Sequence, residues 1–215
     1  MAGNPFPLDK PALLEAYRRM RTIREFEERL HVDFSRGDIP GFVHLYAGEE
    51  AAGVGIIGQL GDGDRIASTH RGHGHCIAKG VDPMAMMKEI YGKKGGSCGG
   101  KGGSMHIADL SKGMMGANGI LGAGAPLACG AALAAKYRKQ GEIAVSFVGD
   151  GASNQGTFLE SLNLAAVWNL PVIFVFDEPL LQSLQLSAKR LVFLARTLAE
   201  LGETNELEIW RGSPV

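Results

Sequence analysis

Ile143–Ala144–Val145–Ser146–Phe147–Val148, then Gly149–Asp150–Gly151, and later Val172–Ile173–Phe174–Val175–Phe176 are the runs whose reading decides the fold. Both outer runs are short, apolar and rich in β-branched or aromatic residues, as buried strands are. Between them, residues 154–168 carry Phe158, Leu162, Ala165 and Ala166 on one helical face. A strand, a helix and a strand in about 35 residues make a βαβ unit, so a parallel sheet with a right-handed crossover is expected.

Upstream, Asp9 is placed to cap a helix that tolerates Pro11 in its first turn. Leu13, Tyr17, Met20, Ile23, Phe26 and Leu30 trace its apolar face, and the helix ends near Gly37. Residues 49–60 and 83–91 are expected to be helical, 65–68 a short strand, and 127–137 an alanine-rich helix. Residues 92–124 form a long glycine-rich stretch with little periodicity, and loops of that length are usually functional or disordered. After Phe176 the character changes. Of the 31 glycines only Gly202 and Gly212 follow, and leucine becomes dense enough to expect a helix over residues 188–201.

The composition bounds the function. A 215-residue chain with 45% hydrophobic and 21% charged residues is an ordinary globular protein. Its net charge of −1 gives no electrostatic reason to bind nucleic acid or an anionic membrane. No run approaches the roughly 18 apolar residues of a membrane span. Three cysteines and no basic, apolar leader favour a reducing compartment, so the cytoplasm is the expected location.

Several motifs invite chemistry. Gly149–Asp150–Gly151 directly follows a strand and precedes a helix, where open α/β sheets bind ligands. A carboxylate there suits a hard cation such as Mg²⁺, although a plain turn would have the same sequence. Gly95 to Lys101 has P-loop spacing, but Gly102 stands where Ser or Thr is required and no strand precedes it. His70, His73, His75 and Cys76 offer zinc ligands without a second pair at structural-site spacing. Arg71 is better suited to clamp a phosphate or carboxylate. His44 lies in an apolar run, where a histidine is more often a satisfied core residue than a catalytic one.

Taken together, these stretches resemble the alpha subunit of the thiamine-diphosphate-dependent dehydrogenase component of pyruvate and acetoin dehydrogenases. The resemblance is carried by Gly41–Phe42–Val43–His44–Leu45–Tyr46–Ala47–Gly48–Glu49–Glu50, by residues 69–75, by residues 99–106, by Asn118–Gly119–Ile120–Leu121–Gly122, and by the opening of a cofactor motif at residues 149–156. It runs over about residues 13–176. The versions at residues 70–76 and 105–109 look more like the acetoin branch.

The resemblance implies a doubly wound parallel α/β sheet of the thiamine-diphosphate-binding type, truncated at its C-terminal side. Residues 1–176 would be the N-terminal part of that domain and 177–215 an unrelated tail. It implies an α2β2 heterotetramer with the cofactor where alpha and beta meet, alpha holding diphosphate and Mg²⁺ and beta holding the aminopyrimidine. It also implies a lipoyl-bearing acyltransferase that receives the acyl group released from acetoin or a 2-oxo acid such as pyruvate. His44 matches the residue beside the reacting centre. His70 and Arg71 match the diphosphate and substrate side, and Gly119 and Leu121 the backbone contacts to the aminopyrimidine. Asp150 matches the Mg²⁺ carboxylate, and Gly151 and Ala152 the diphosphate contacts.

The departure comes at Asp177–Glu178–Pro179, where the family carries Glu–Asn–Asn and the second Asn is a Mg²⁺ ligand. Pro179 has no side-chain oxygen to offer. A shifted reading frame or mis-assigned gene end near codon 177 is the simplest expectation. The alternative to an enzyme subunit is a non-catalytic fragment that associates with beta without holding cofactor.

Overall fold

The computed structural model describes residues 9–176 and the backbone of Val192–Phe193. Helix α1 spans Lys10–Ser35; Asp9 caps it by accepting the Ala12 N–H at 2.9 Å, and Pro11 costs nothing in a first turn that lacks N–H partners. Helix α2 (Glu50–Ile57) leads into strand β1 (Arg65–Ala67). Helices α3 (His73–Ala78) and α4 (Pro83–Ile90) follow, then strand β2 (Met114–Gly116) and helix α5 (Gly124–Arg138). Strand β3 (Ala144–Val148), the short helix α6 (Asp150–Ser153), helix α7 (Gly156–Val167) and strand β4 (Val172–Phe176) complete the expected βαβ unit.

The sheet order is β2-β1-β3-β4, all parallel, with β3 and β4 in register from Ala144 opposite Val172 to Val148 opposite Phe176. Alternation along the strands feeds two cores. Val145, Phe147 and Val175 face Ile23, Leu30, Tyr46 and Ile90 on one side of the sheet. Ala144, Val148, Val172 and Phe174 face Ala128, Ala132, Phe158 and Ala165 on the other. Helices therefore cover both faces, as a doubly wound sheet requires. Small residues on α5 let it lie close against β3 and α7. Phe158 and Phe174 meet edge to face at 5.6 Å, a geometry worth about 1 kcal/mol beyond the area it buries.

Parallel pairing of β3 and β4 across a crossover helix agrees with the sequence reading; the helix starts at Gly156 because residues 150–153 form their own turn. Two elements depart from it. The segment holding His73, His75 and Cys76, outside every helix expected from the sequence, becomes α3, and the glycine-rich stretch contains β2, whose Met114–Met115–Gly116 has no strand-like alternation and is recruited by pairing with β1.

The strand Val192–Phe193, β5, adds antiparallel to β4, with Phe174 opposite Phe193. It falls inside the helix expected over residues 188–201 and corrects that expectation at these two positions. The edge of β4 is where a further strand can pair. The rest of residues 177–215, including Pro179 and the remainder of that expected helix, lies outside the described residues. Among the described residues no helix is long and apolar enough to cross a membrane.

Candidate active site

The chain leaves β1 to build β2 on one side, then returns to place β3 and β4 on the other. Loops after β1 and β3 consequently part in opposite directions, and the crevice between them is where such sheets take ligands. A cavity of about 220 Å³ lies there. Its walls are Ser68, Thr69, His70 and Arg71 after β1, Asn118, Ile120, Leu121 and Gly122 after β2, and residues 147–152 at the end of β3, with Glu49 alongside.

Of the residues singled out in the sequence, His70, Arg71, Leu121, Asp150, Gly151 and Ala152 line this one cavity. Gly119 lies within the same β2 loop but not on the wall; a side chain there would press on the His106 ring at 3.4 Å. The Asn118 side-chain oxygen accepts the Ile120 N–H at 2.9 Å and shapes that loop. His44 stands one residue further out, its ring 4.9 Å from that of His70 and nearly perpendicular to it.

The electrostatics are specific. Burial, then the Arg71 charge, lowers the pKa of His44; burial, then His44 and Arg71, lowers that of His70. Both rings are therefore neutral near pH 7, and the buried Nδ1 of His70 has no hydrogen-bond partner among the described residues. One Arg71 N–H donates to the Leu45 carbonyl at 2.9 Å, which holds the guanidinium in the cavity wall. Asp150 is exposed at the mouth of β3.

A diphosphate fits this arrangement. Side chains added to Gly149 or Gly151 would meet no atom within 4 Å, so the bare backbone is not demanded by packing and leaves room for a bound group. Arg71 supplies a forked cation. Asp150 and the buried Glu49 would repel phosphate oxygens unless a cation stood between. A hard divalent ion held by Asp150 would resolve that conflict.

Glu49 was given no site role by sequence reasoning, which placed it at a helix start and within the Gly41–Glu50 stretch that carries the resemblance. Its one signal is its place beside Glu50: the second carboxylate accepts from Arg24 Nε at 2.6 Å, and Glu49 itself lines the cavity. Burial alone would raise the pKa of Glu50, but hydrogen bonds from Arg24, from its own backbone and from Gly48 outweigh it and the group is held low.

The zinc alternative gains no support, since no group of three metal-capable side chains assembles among the described residues. Helix α3 turns His73 and His75 into the core instead. His73 bonds Glu27 and Ser104, each at 2.9 Å, while His75 bonds Tyr46 at 3.0 Å and Ser68 at 2.7 Å. The P-loop spacing also finds its explanation. The loop wraps the buried Glu89 carboxylate, which accepts N–H groups from Cys98, Gly100, Gly102 and Gly103 at 2.6 to 3.3 Å. An internal anion fills the nest that a phosphate would need.

A parallel sheet with a crevice at its switch point, lined by Arg71 and Asp150, defines a class, and comparison names it: the chain belongs to the dehydrogenase E1 component family, whose model matches residues 18–178. Over 172 residues it is 86% identical to the alpha subunit of acetoin:2,6-dichlorophenolindophenol oxidoreductase of Cupriavidus necator, covering 80% of this chain and 52% of that subunit. The corresponding subunit of Bacillus subtilis is 64% identical over 171 residues, 80% of this chain and 51% of the relative. The pyruvate dehydrogenase E1 component subunit alpha of Zymomonas mobilis is 47% identical over 171 residues, 79% and 48% respectively. The chain thus spans about half the length of these curated relatives.

Proposed function

We propose that this chain forms the alpha-subunit side of a thiamine-diphosphate- and Mg²⁺-dependent oxidoreductase that cleaves acetoin. The observation that carries the reading is the crevice in which Arg71, Asp150 and the open backbone of Gly151 converge. Acetoin is favoured over pyruvate because both relatives named for acetoin are more similar to this chain than the pyruvate relative.

Bound thiamine diphosphate would supply the nucleophilic carbon that cleaves the bond beside the substrate carbonyl. The chain's own residues position and neutralise. Arg71 and the backbone of Gly151 and Ala152 hold the diphosphate, and Asp150 offers an oxygen to Mg²⁺. The backbone of Leu121 on the cavity wall would meet the aminopyrimidine, with Gly119 behind it in the same loop. His70 lines the substrate side, and the neutral His44 is in the protonation state to accept a proton beside it. A beta subunit completes the site in an α2β2 assembly, and a lipoyl-bearing acyltransferase takes the acyl group. The exposed Ile120 and Leu121 on the cavity's lip support a covering partner.

Pro179 favours a second reading, a fragment that associates with beta without holding cofactor, since proline offers no side-chain oxygen to Mg²⁺. Titration with thiamine diphosphate and Mg²⁺ in the presence of a beta subunit separates the two. Saturable binding that chelation abolishes supports the enzyme subunit; a stable complex with no cofactor uptake supports the fragment.

A further inference from the structure

We infer that His75 is the positioning residue that fixes the His44 loop against the turn carrying His70 and Arg71. The inference rests on the proposed function for its consequence, but on geometry for its content. Three consecutive residues of the first loop each meet the second segment. The His44 ring meets His70, the Leu45 carbonyl accepts from Arg71, and the Tyr46 hydroxyl bonds His75 Nε2 at 3.0 Å. The first two contacts are half-exposed. The third lies in the core, where Tyr46 and His75 are fully buried and Ser68 nearly so.

His75 reaches both loops and the sheet at once. Its Nδ1 bonds Ser68 at 2.7 Å, the residue that follows β1 and begins the cavity wall. Its ring stacks on Phe147 of β3 at 3.8 Å between centroids, and Phe147 also lines the cavity. The backbone is shaped for this contact: a Cβ on Gly74 would overlap the Tyr46 ring. Two hydrogen bonds on opposite sides of a rigid imidazole set the spacing of the loops to within the tolerance of a hydrogen bond, about 0.3 Å. The neighbouring His73 is equally buried on the same helix, yet its bonds run to α1 and Ser104 rather than to the His44 loop. It provides an internal control.

The test uses the full chain and amide hydrogen exchange, read at Gly48 and Glu49, whose N–H groups bond the Glu50 carboxylate and the Tyr46 carbonyl. Tyr46→Phe removes one hydroxyl. In His75→Asn the amide stands near the Nδ1 position and keeps Ser68; in His75→Gln it reaches the Nε2 position and keeps Tyr46. Tyr46→Phe and His75→Asn should speed exchange at these two amides about tenfold, the worth of one hydrogen bond. His75→Gln should restore near-parental exchange, and Ser104→Ala should leave both amides unchanged. Equal loosening by Asn and Gln, no change in Tyr46→Phe, or equal loosening by Ser104→Ala would overturn the inference. Thiamine diphosphate affinity in the complex with beta should fall in the same order. Failure of the parent chain to bind it would count against the proposed function alone, because the exchange pattern needs no cofactor.

Discussion

The imidazoles of His44 and His70 stand 86° apart in plane and 4.9 Å apart in centre, at the edge of a cavity that also holds Arg71. Burial and the adjacent guanidinium depress both pKa values below the ordinary 6.5. The unfolded chain therefore binds these protons more readily than the folded one. Their contribution is intact above pH 6.5 and is lost as pH falls below it through the lowered folded values. Thermal midpoints measured from pH 7.5 to 5 should decline, and His44→Gln should flatten the decline. An unchanged slope in that variant would contradict the assignment. In the assembled enzyme, His44→Ala should lower turnover by about 100-fold with cofactor affinity retained.

Asp150 is exposed, so Asp150→Ala should leave the fold's stability within about 0.5 kcal/mol. Mg²⁺-dependent cofactor affinity should drop by more than about 100-fold, since even outer-shell partners of metal sites are worth about 10- to 100-fold. Calorimetric titration of the alpha–beta complex measures both quantities, and equal affinity in parent and variant would defeat the metal role.

Gly151 offers a cleaner probe of the diphosphate. A methyl group there meets no atom of the chain, and its backbone is helical, so Gly151→Ala should be neutral or slightly stabilising in thermal melts. The same methyl would project into the space proposed for the diphosphate, and affinity should fall about tenfold or more. Undiminished affinity would move the diphosphate elsewhere in the crevice.

Glu89 is fully buried and accepts four backbone N–H groups. Burial would raise its pKa, but these four donors outweigh it and hold the group below the ordinary 4.5. Its stabilisation is complete above pH 4.5 and disappears as pH falls through the lowered folded value. Glu89→Gln substitutes two donors for an acceptor oxygen that faces N–H groups, and should cost about 3 kcal/mol at pH 7 in urea unfolding. A cost below about 1 kcal/mol would mean that the glycine-rich loop is organised by something else.

The chain alone, without beta, is expected to bind thiamine diphosphate weakly or not at all. In the proposed assembly beta's half of the site is then missing, and Pro179 has no side-chain oxygen to offer Mg²⁺. Fluorescence titration should show no saturation in the micromolar range, and saturable, Mg²⁺-dependent binding there would reverse the expectation.

The sequence by itself determined the βαβ unit, the cap of α1, and the placement of Gly149–Asp150–Gly151 after a strand. Strand runs, apolar periodicity and capping residues are local properties, written in consecutive side chains and set by backbone sterics and burial. Tertiary structure alone decided the rest. Whether His73 and His75 ligate a metal, catalyse or sit in the core depends on which way α3 faces, and their partners Glu27 and Tyr46 lie 46 and 29 residues away. Gly95 to Lys101 shows phosphate-loop spacing in one dimension, but only three dimensions put Glu89 inside it. The strand β2 and the cavity role of Glu49 likewise arise from neighbours distant in sequence. Pairing edges and facing walls come from how the chain returns on itself, and no local pattern encodes that return.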